Sequence, residues 1–396
     1  MKAPIAYSCL LLVAQAAGQS LTLPDALAQA RKNRPIVRAA NLGVEEARLT
    51  ARALGTHPGL TLGVGRSSRE GIGATDQDLF VALPIDYAGR TGAARKIGRA
   101  QVEIAEADAR EALLELQTEV MGAYFEALAS ARLSQVAQDL KSVAESLYKA
   151  TNRRFEEGKI PEVQLTRIGI ELERAKQVAQ ARESRHRNDL QKLAGIIGAT
   201  TAPEKIDLAT NLAIPDVNPA TRPDIARLEA KVRVADSEIE LARRASLPEA
   251  EIIGLRTPWQ DSAVFYGARL QLTWNGLDFG RASNERKASA KHAEAAKLAL
   301  LDARRKVEVE LTSVNAEIEA ARQRVESYEA IRRTTTSLVE KSQRGYNEGF
   351  SGFLDVLDSI RALREIEQEL AEAQLELNIA LTTKYRVVGK LLEVTK

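Results

Sequence analysis

The sequence predicts a mostly α-helical protein with a small β component, built from long antiparallel α-hairpins and four β-strands. Three observations lead there. Aromatic residues make up only 4% of the chain while 28% is charged, the profile of long helices packed along narrow seams rather than of a compact core. Apolar residues recur at alternating spacings of three and four over stretches of roughly 60 residues, which would extend about 90 Å at 1.5 Å per residue. Finally, the chain is written twice.

The duplication is direct. "RPIVRAANLGVEEARLTARALGTHPGL" from Arg34 resembles "RPDIARLEAKVRVADSEIELARRASLPEA" from Arg222, and Pro58 answers Pro248. "DYAGR" ending at Arg90 answers "LDFGR" ending at Arg281, and "RFEEGKIPEVQL" answers "GYNEGFSGFLDV", pairing Gly158 with Gly349 at an offset of 191 residues. Residues 19–207 form the first expected repeat and 208–396 the second.

The elements follow in chain order. Residues 1–18 read as a secretory signal: one lysine, an apolar run, then the small-x-small pattern Ala14-Gln15-Ala16, with cleavage expected after Ala16 or Gly18. Cys9 is the only cysteine and lies in this segment, so the mature chain would have no disulfide, thiol chemistry or cysteine metal site. Each repeat then opens with a helix, about Pro24 to Gly55 and Arg222 to Ser246, ended by proline.

A β-hairpin follows at about 58–85 and again at about 249–274. Tyr266, Ala268, Leu270, Leu272 and Trp274 share one face, while Gly267, Arg269, Gln271 and Thr273 share the other. Leu60, Leu62, Val64, Leu79, Val81 and Leu83 keep the same period of two in the first repeat.

Long helical hairpins at 91–198 and 281–390 complete each repeat. Leu311, Val314, Ile318, Ala321, Val325 and Tyr328 form a heptad seam, answered by Val356, Ile360, Leu363, Ile366 and Leu370 on the returning helix. "FEEGKIPE" and "GYNEGFSGFLD" are the turns between the limbs.

Four strands of near-membrane length cannot close a barrel alone, and open edges are not tolerated in lipid. Three chains would supply twelve strands, with Leu270, Leu272 and Trp274 toward lipid and Arg269, Gln271 and Thr273 toward a lumen. The same alternation fits a small soluble sheet capping a helical bundle, as in a structural coiled-coil scaffold.

Other function classes find little support. The net charge of +2, from 56 basic and 54 acidic residues, supplies no strong field for nucleic acid. His57, His186 and His292 show no metal-ligand spacing; His57 is expected at the rim of the strands, and the other two solvated on charged helices. Gly63-Val64-Gly65 and Gly71-Ile72-Gly73 precede no phosphate-binding helix. No nucleophile, base and orienting group come together, and no enzyme activity, metal or cofactor is expected.

Taken in order, "LTLPDALAQARKNRP", "RPDI", "LTWNGLDFGR" and "GYNEGFSGFLDVLDS" resemble the TolC-like outer-membrane efflux proteins over nearly the whole mature chain. The resemblance implies a homotrimer with a 12-stranded transmembrane β-barrel in the outer membrane, continued by an α-barrel tunnel into the periplasm. It implies an exit duct working with a periplasmic adaptor and an inner-membrane transporter, in a tripartite efflux pump or, alternatively, in type I protein secretion. By position, Gly158, Lys159, Ile160 and Pro161, with Gly349, Phe350, Ser351 and Gly352, would be the adaptor-facing tips. Asp355 and Asp358 would ring the entrance constriction. Some relatives hold that entrance shut with an Asp–Arg ion pair; the matching positions here are Gln164 and Ser351, whereas Tyr346 matches the aromatic residue of that lock. A gate without the ion pair is therefore expected.

Overall fold

The computed structural model describes residues 20–68, 75–208, 212–213, 222–259, 263–274 and 278–392. The expected signal segment and the Gly71-Ile72-Gly73 run lie outside the described residues. The first half contains α1 (Leu23–Asn33), α2 (Pro35–Leu54), β1 (Thr61–Ser68), β2 (Thr75–Ile85), α3 (Arg90–Glu156) and α4 (Glu162–Ile197). The second contains α5 (Pro223–Ala245), β3 (Glu249–Trp259), β4 (Ala263–Thr273), α6 (Arg281–Glu348) and α7 (Phe353–Val388).

One expectation is corrected at the start. The single helix expected from Pro24 to Gly55 is two, because Pro35 has no N–H to continue the ladder and forces the preceding residue out of the helical region. Arg34 accordingly sits at φ −78°, ψ 123°. The break frees α1 to turn onto α3 and α4, burying Leu23, Ala26, Leu27 and Ala30. Tyr124 of α3 anchors the same region, its hydroxyl lying 3.2 Å from the carbonyls of Leu21 and Asp207. Leu21 and Ile206 form a parallel bridge, tying the start of the chain to the segment between the halves.

The long limbs follow the heptad reading. α3 and α6 run 67 and 68 residues, roughly 100 Å each at the helical rise. Val314, Ile318 and Ala321 of α6 and Val356, Leu370, Ala373 and Ala380 of α7 are buried along the seam. Both long helices start from a left-handed glycine, Gly89 at φ 69° and Gly280 at φ 90°. Asp86 accepts the N–H groups of Arg90 and Thr91 at 2.7 and 2.8 Å, and Asp278 those of Gly280 and Ala282 at 3.0 and 2.7 Å. The backbone donors of Ala282 and Gly280 hold the Asp278 carboxyl below the usual carboxylate range.

The four strands form one antiparallel sheet in the order β1-β2-β3-β4. Its register aligns Leu62 with Val81, Val81 with Gly254, Ile252 with Leu270 and Ala250 with Leu272. One face is therefore largely apolar across all four strands, with Arg256 opposite Leu79 as its charged member, and most of it is bare: Val64 is 78% exposed, Trp274 68% and Leu270 63%. This face is not turned to a core, as a soluble capping sheet would require. On the opposite face the Phe80 ring lies against Gly63, filling the space that a Cβ there would occupy. Pro84 is tolerated because β1 has ended by then, Thr61 being paired with Ala82.

A second correction concerns His186. It is half-buried rather than free in solvent: its Nδ1 lies 3.2 Å from Ser130 Oγ across the α3–α4 seam, and burial lowers its pKa. His292 remains exposed beside Glu238, 3.1 Å away. Among the described residues no helix is long and apolar enough to cross a membrane.

Candidate functional site

The sequence-derived site residues gather at the far ends of the two helical hairpins. Both turns use one backbone device. α3 ends with Gly158 at φ 72°, its N–H donating to Phe155 at 2.8 Å and that of Lys159 to Arg154 at 2.9 Å. α6 ends with Gly349 at φ 90°, its N–H donating to Tyr346 at 3.2 Å and that of Phe350 to Gly345 at 2.7 Å. This paired pattern satisfies carbonyls that a helix end leaves open, and its left-handed residue favours glycine.

Around that common backbone the side chains differ. In the first turn Lys159 pairs with Glu157 at 2.7 Å, and Pro161 sets the extended entry into α4. In the second turn Phe350 points outward, 87% exposed. Ser351 packs its hydroxyl against Gly345, where a Cβ would come within 2.2 Å of it. Gly352 precedes α7 and donates its N–H to the Asp355 carboxylate at 2.9 Å.

Behind the turns lies a small core of Leu147, Ile168, Tyr346, Phe353, Val356 and Leu357. Tyr346 joins the two hairpins at this end. Its hydroxyl is 3.3 Å from Thr151 Oγ1 on α3, and its ring is 6.2 Å from that of Phe353. The Arg154 guanidinium of α3 lies 4.5 Å above the ring centre and donates through Nη2 to the Tyr346 carbonyl at 2.7 Å. A cation over an aromatic face and a charge-assisted bond to a helix-end carbonyl thus act from one residue.

The structure brings Tyr346 together with Arg154 and Thr151, which the sequence reading did not single out. It does not bring Gln164 and Ser351 together: no hydrogen bond joins them among the described residues, and Gln164 sits half-buried in the first turn of α4 with its N–H on the Pro161 carbonyl at 3.0 Å. Asp355 and Asp358 are both exposed on the same side of α7. Asp358 lies 3.6 Å from Arg361, which also pairs with Glu171 of α4. Only the spacing of cationic and aromatic residues ahead of each turn, "TNRRF" and "QRGYNE", could have pointed to the Arg154–Tyr346 contact.

An open sheet with one bare apolar face, carried on helical hairpins of about 100 Å, is the architecture of an outer-membrane efflux channel protein. The chain belongs to the outer membrane efflux protein family, whose model matches it twice, over residues 26–199 and 218–390. It is an outer-membrane protein of the TolC-like class, a group of transport conduits. It is 24% identical to the pyoverdine export outer membrane protein OpmQ of Pseudomonas putida, over 79% of this chain and 70% of that one. Among solved structures the fold is similar to CusC, with a TM-score of 0.80 and 16% identity over 95% of this chain and 96% of that one. It is also similar to the open state of the MtrE outer membrane channel of Neisseria gonorrhoeae, with a TM-score of 0.76 and 19% identity over 93% and 89%.

Proposed function

We propose that three copies of this chain close into one channel that serves as the outer-membrane exit duct of a tripartite efflux pump. The observation that carries the reading is the sheet. Its apolar face is exposed and its outer strands, β1 and β4, each have a partner on one side only among the described residues. Lipid forbids such edges, so neighbouring copies must pair β1 with β4; three copies make a twelve-stranded barrel.

The helices favour the same closure. α5 is wedged between α3 and α6 and buries Ile225, Ala230 and Ala235. Its counterpart α2 packs on α3 and has no buried residue, leaving Leu42 and Leu49 bare. Repetition of the α5 arrangement would seat α2 against α6 of a neighbouring copy, where Leu298, Leu301 and Val309 are exposed. The repeat thus provides its own template for the subunit contact.

In this assembly the hairpin turns form the periplasmic entrance. Gly158 to Pro161 and Gly349 to Gly352 meet the adaptor, and Asp355 and Asp358 place six carboxylates around the axis, favouring cations. Arg154, Thr151 and Tyr346 hold each entrance together where the ion pair of some relatives is missing. Energy for transport comes from the inner-membrane partner.

The test is the assembly itself. Outer-membrane fractions should contain a trimer on unheated gels that collapses to a single chain on boiling, with channel activity in planar bilayers. A soluble elongated monomer or dimer, absent from that fraction, would overturn the proposal.

A further inference from the structure

Away from the turns, a cleft of about 370 Å³ runs over the middle of α3, between α4 and α7. We propose that it binds the acyl chain of a single-chain amphiphile whose anionic headgroup pairs with Arg364.

The floor is apolar, with alanines set between leucines. Leu133, Ala137, Leu140 and Ala144 line it from α3, and their span of eleven residues is roughly 16 Å at the helical rise. Ile168 closes one wall and Ile360 the other. Size and lining match the clefts that hold small apolar ligands, with a few polar groups at the mouth to fix orientation.

The mouth selects the shape of the occupant. Two contacts cross it from α4 to α7: the Glu171–Arg361 ion pair, and Arg182 Nη2 donating to Gln368 Oε1 at 3.2 Å. A helix with its side chains is about 10–12 Å across and would have to break both straps. A single hydrocarbon chain passes beneath them. Arg364 sits on α7 between Arg361 and Gln368, exposed and without an ion pair among the described residues. Arg182, Arg361 and Arg364 line the cleft against Glu171 and Glu365, so one positive charge is left over at the opening.

The duplication shows that this void is not a necessity of helix packing. At the offset of 191 residues, Ala137 corresponds to Tyr328, Ala144 to Thr335 and Leu133 to Arg324 on α6. Arg364 corresponds to Glu173 on α4. The second repeat has bulk and polarity on the floor and the opposite charge at the mouth position. The first repeat alone combines a small apolar floor with a spare arginine.

The full chain reconstituted in lipid nanodiscs, with empty nanodiscs as reference, can be titrated with dansyl-undecanoic acid. Saturable binding at one site per chain is expected, weakened at least about tenfold by Ala137→Tyr and by Ala144→Leu. Arg364→Ala should weaken the acid several-fold while leaving the neutral dansyl-undecanol unaffected. Competition by laurate against lauroyl lysophosphatidic acid decides whether the headgroup is a carboxylate or a phosphate. Non-saturable uptake, binding by both floor variants as tight as by the unsubstituted chain, or equal loss of acid and alcohol in Arg364→Ala, overturns the proposal. So does occlusion of the cleft by a helical adaptor segment with no probe binding, which would give the groove to a protein.

Discussion

The two hairpin turns share a backbone and differ in chemistry. Gly158 and Gly349 close their helices with the same pair of hydrogen bonds. Yet at equivalent positions the first half has Phe155, Gln164 and Arg167 where the second has Tyr346, Asp355 and Asp358. Phe155 is 37% exposed, whereas Tyr346 is 3% exposed and clasped by Arg154 and Thr151 of the first half. Duplication supplied the shape of the turns, and divergence divided their side chains. One half supplies the clasp; the other supplies the clasped ring and the carboxylates.

The largest difference should appear on truncating the two aromatic residues. Tyr346→Ala removes a buried ring together with its contacts to the Arg154 guanidinium and the Thr151 hydroxyl, at a cost of about 3–5 kcal/mol. Phe155→Ala, at the equivalent but partly exposed position, should cost only about 1–2 kcal/mol because less area is lost. Hydrogen exchange at the last turns of α6 and α3 reads both locally. Equal deprotection would show the halves to be interchangeable.

Next in size is Arg154→Ala, expected to cost about 1–3 kcal/mol from the lost cation–π contact and the bond to the Tyr346 carbonyl. Channels carrying it should open more readily in single-channel records. Arg154→Lys should restore only part of the closure, because lysine lacks the planar fork that serves ring and carbonyl together. Unchanged conductance in Arg154→Ala would remove the clasp from any account of gating.

Much of this fold was legible in the sequence, for a physical reason. Heptad seams, period-two strands and left-handed glycine turns are local patterns repeated twice, so each half checks the other. The break at Arg34–Pro35 was also written locally, but the continuous apolar pattern from Pro24 concealed it. What stayed hidden depends on contacts between distant segments. Tyr124 meeting Leu21 and Asp207, His186 meeting Ser130, and Arg154 over Tyr346 join residues 56 to 192 positions apart. The cleft over Ala137 and Ala144 escaped notice because alanine in a heptad seam reads as ordinary packing.

A smaller effect tests the shared backbone. Gly158→Ala and Gly349→Ala both place a side chain in the left-handed region, at about 1–2 kcal/mol each, and neither added Cβ meets an atom within 4 Å. The two costs should therefore agree in thermal unfolding of the purified protein. Adaptor capture need not agree, since Gly349 precedes the exposed Phe350 and Gly158 precedes Lys159. A strong asymmetry in stability would mean that the turns are not built alike.

The smallest stability effect should come with the clearest change in function. Asp355 accepts the Gly352 N–H at the start of α7, so Asp355→Asn loses only a favourable charge near a helix N-terminus, about 0.3–1 kcal/mol. If these acids serve helix initiation alone, nothing further should change. In a trimer, however, Asp355→Asn with Asp358→Asn removes six carboxylates from one ring, and cation selectivity measured by reversal potential should fall. The converse substitution, Gln164→Asp, places a carboxylate at the equivalent position of the first half and should raise selectivity in the wild-type background. A reversal potential indifferent to both changes would leave Asp355 as an ordinary helix-start acid and return the asymmetry of the turns to the Tyr346 clasp.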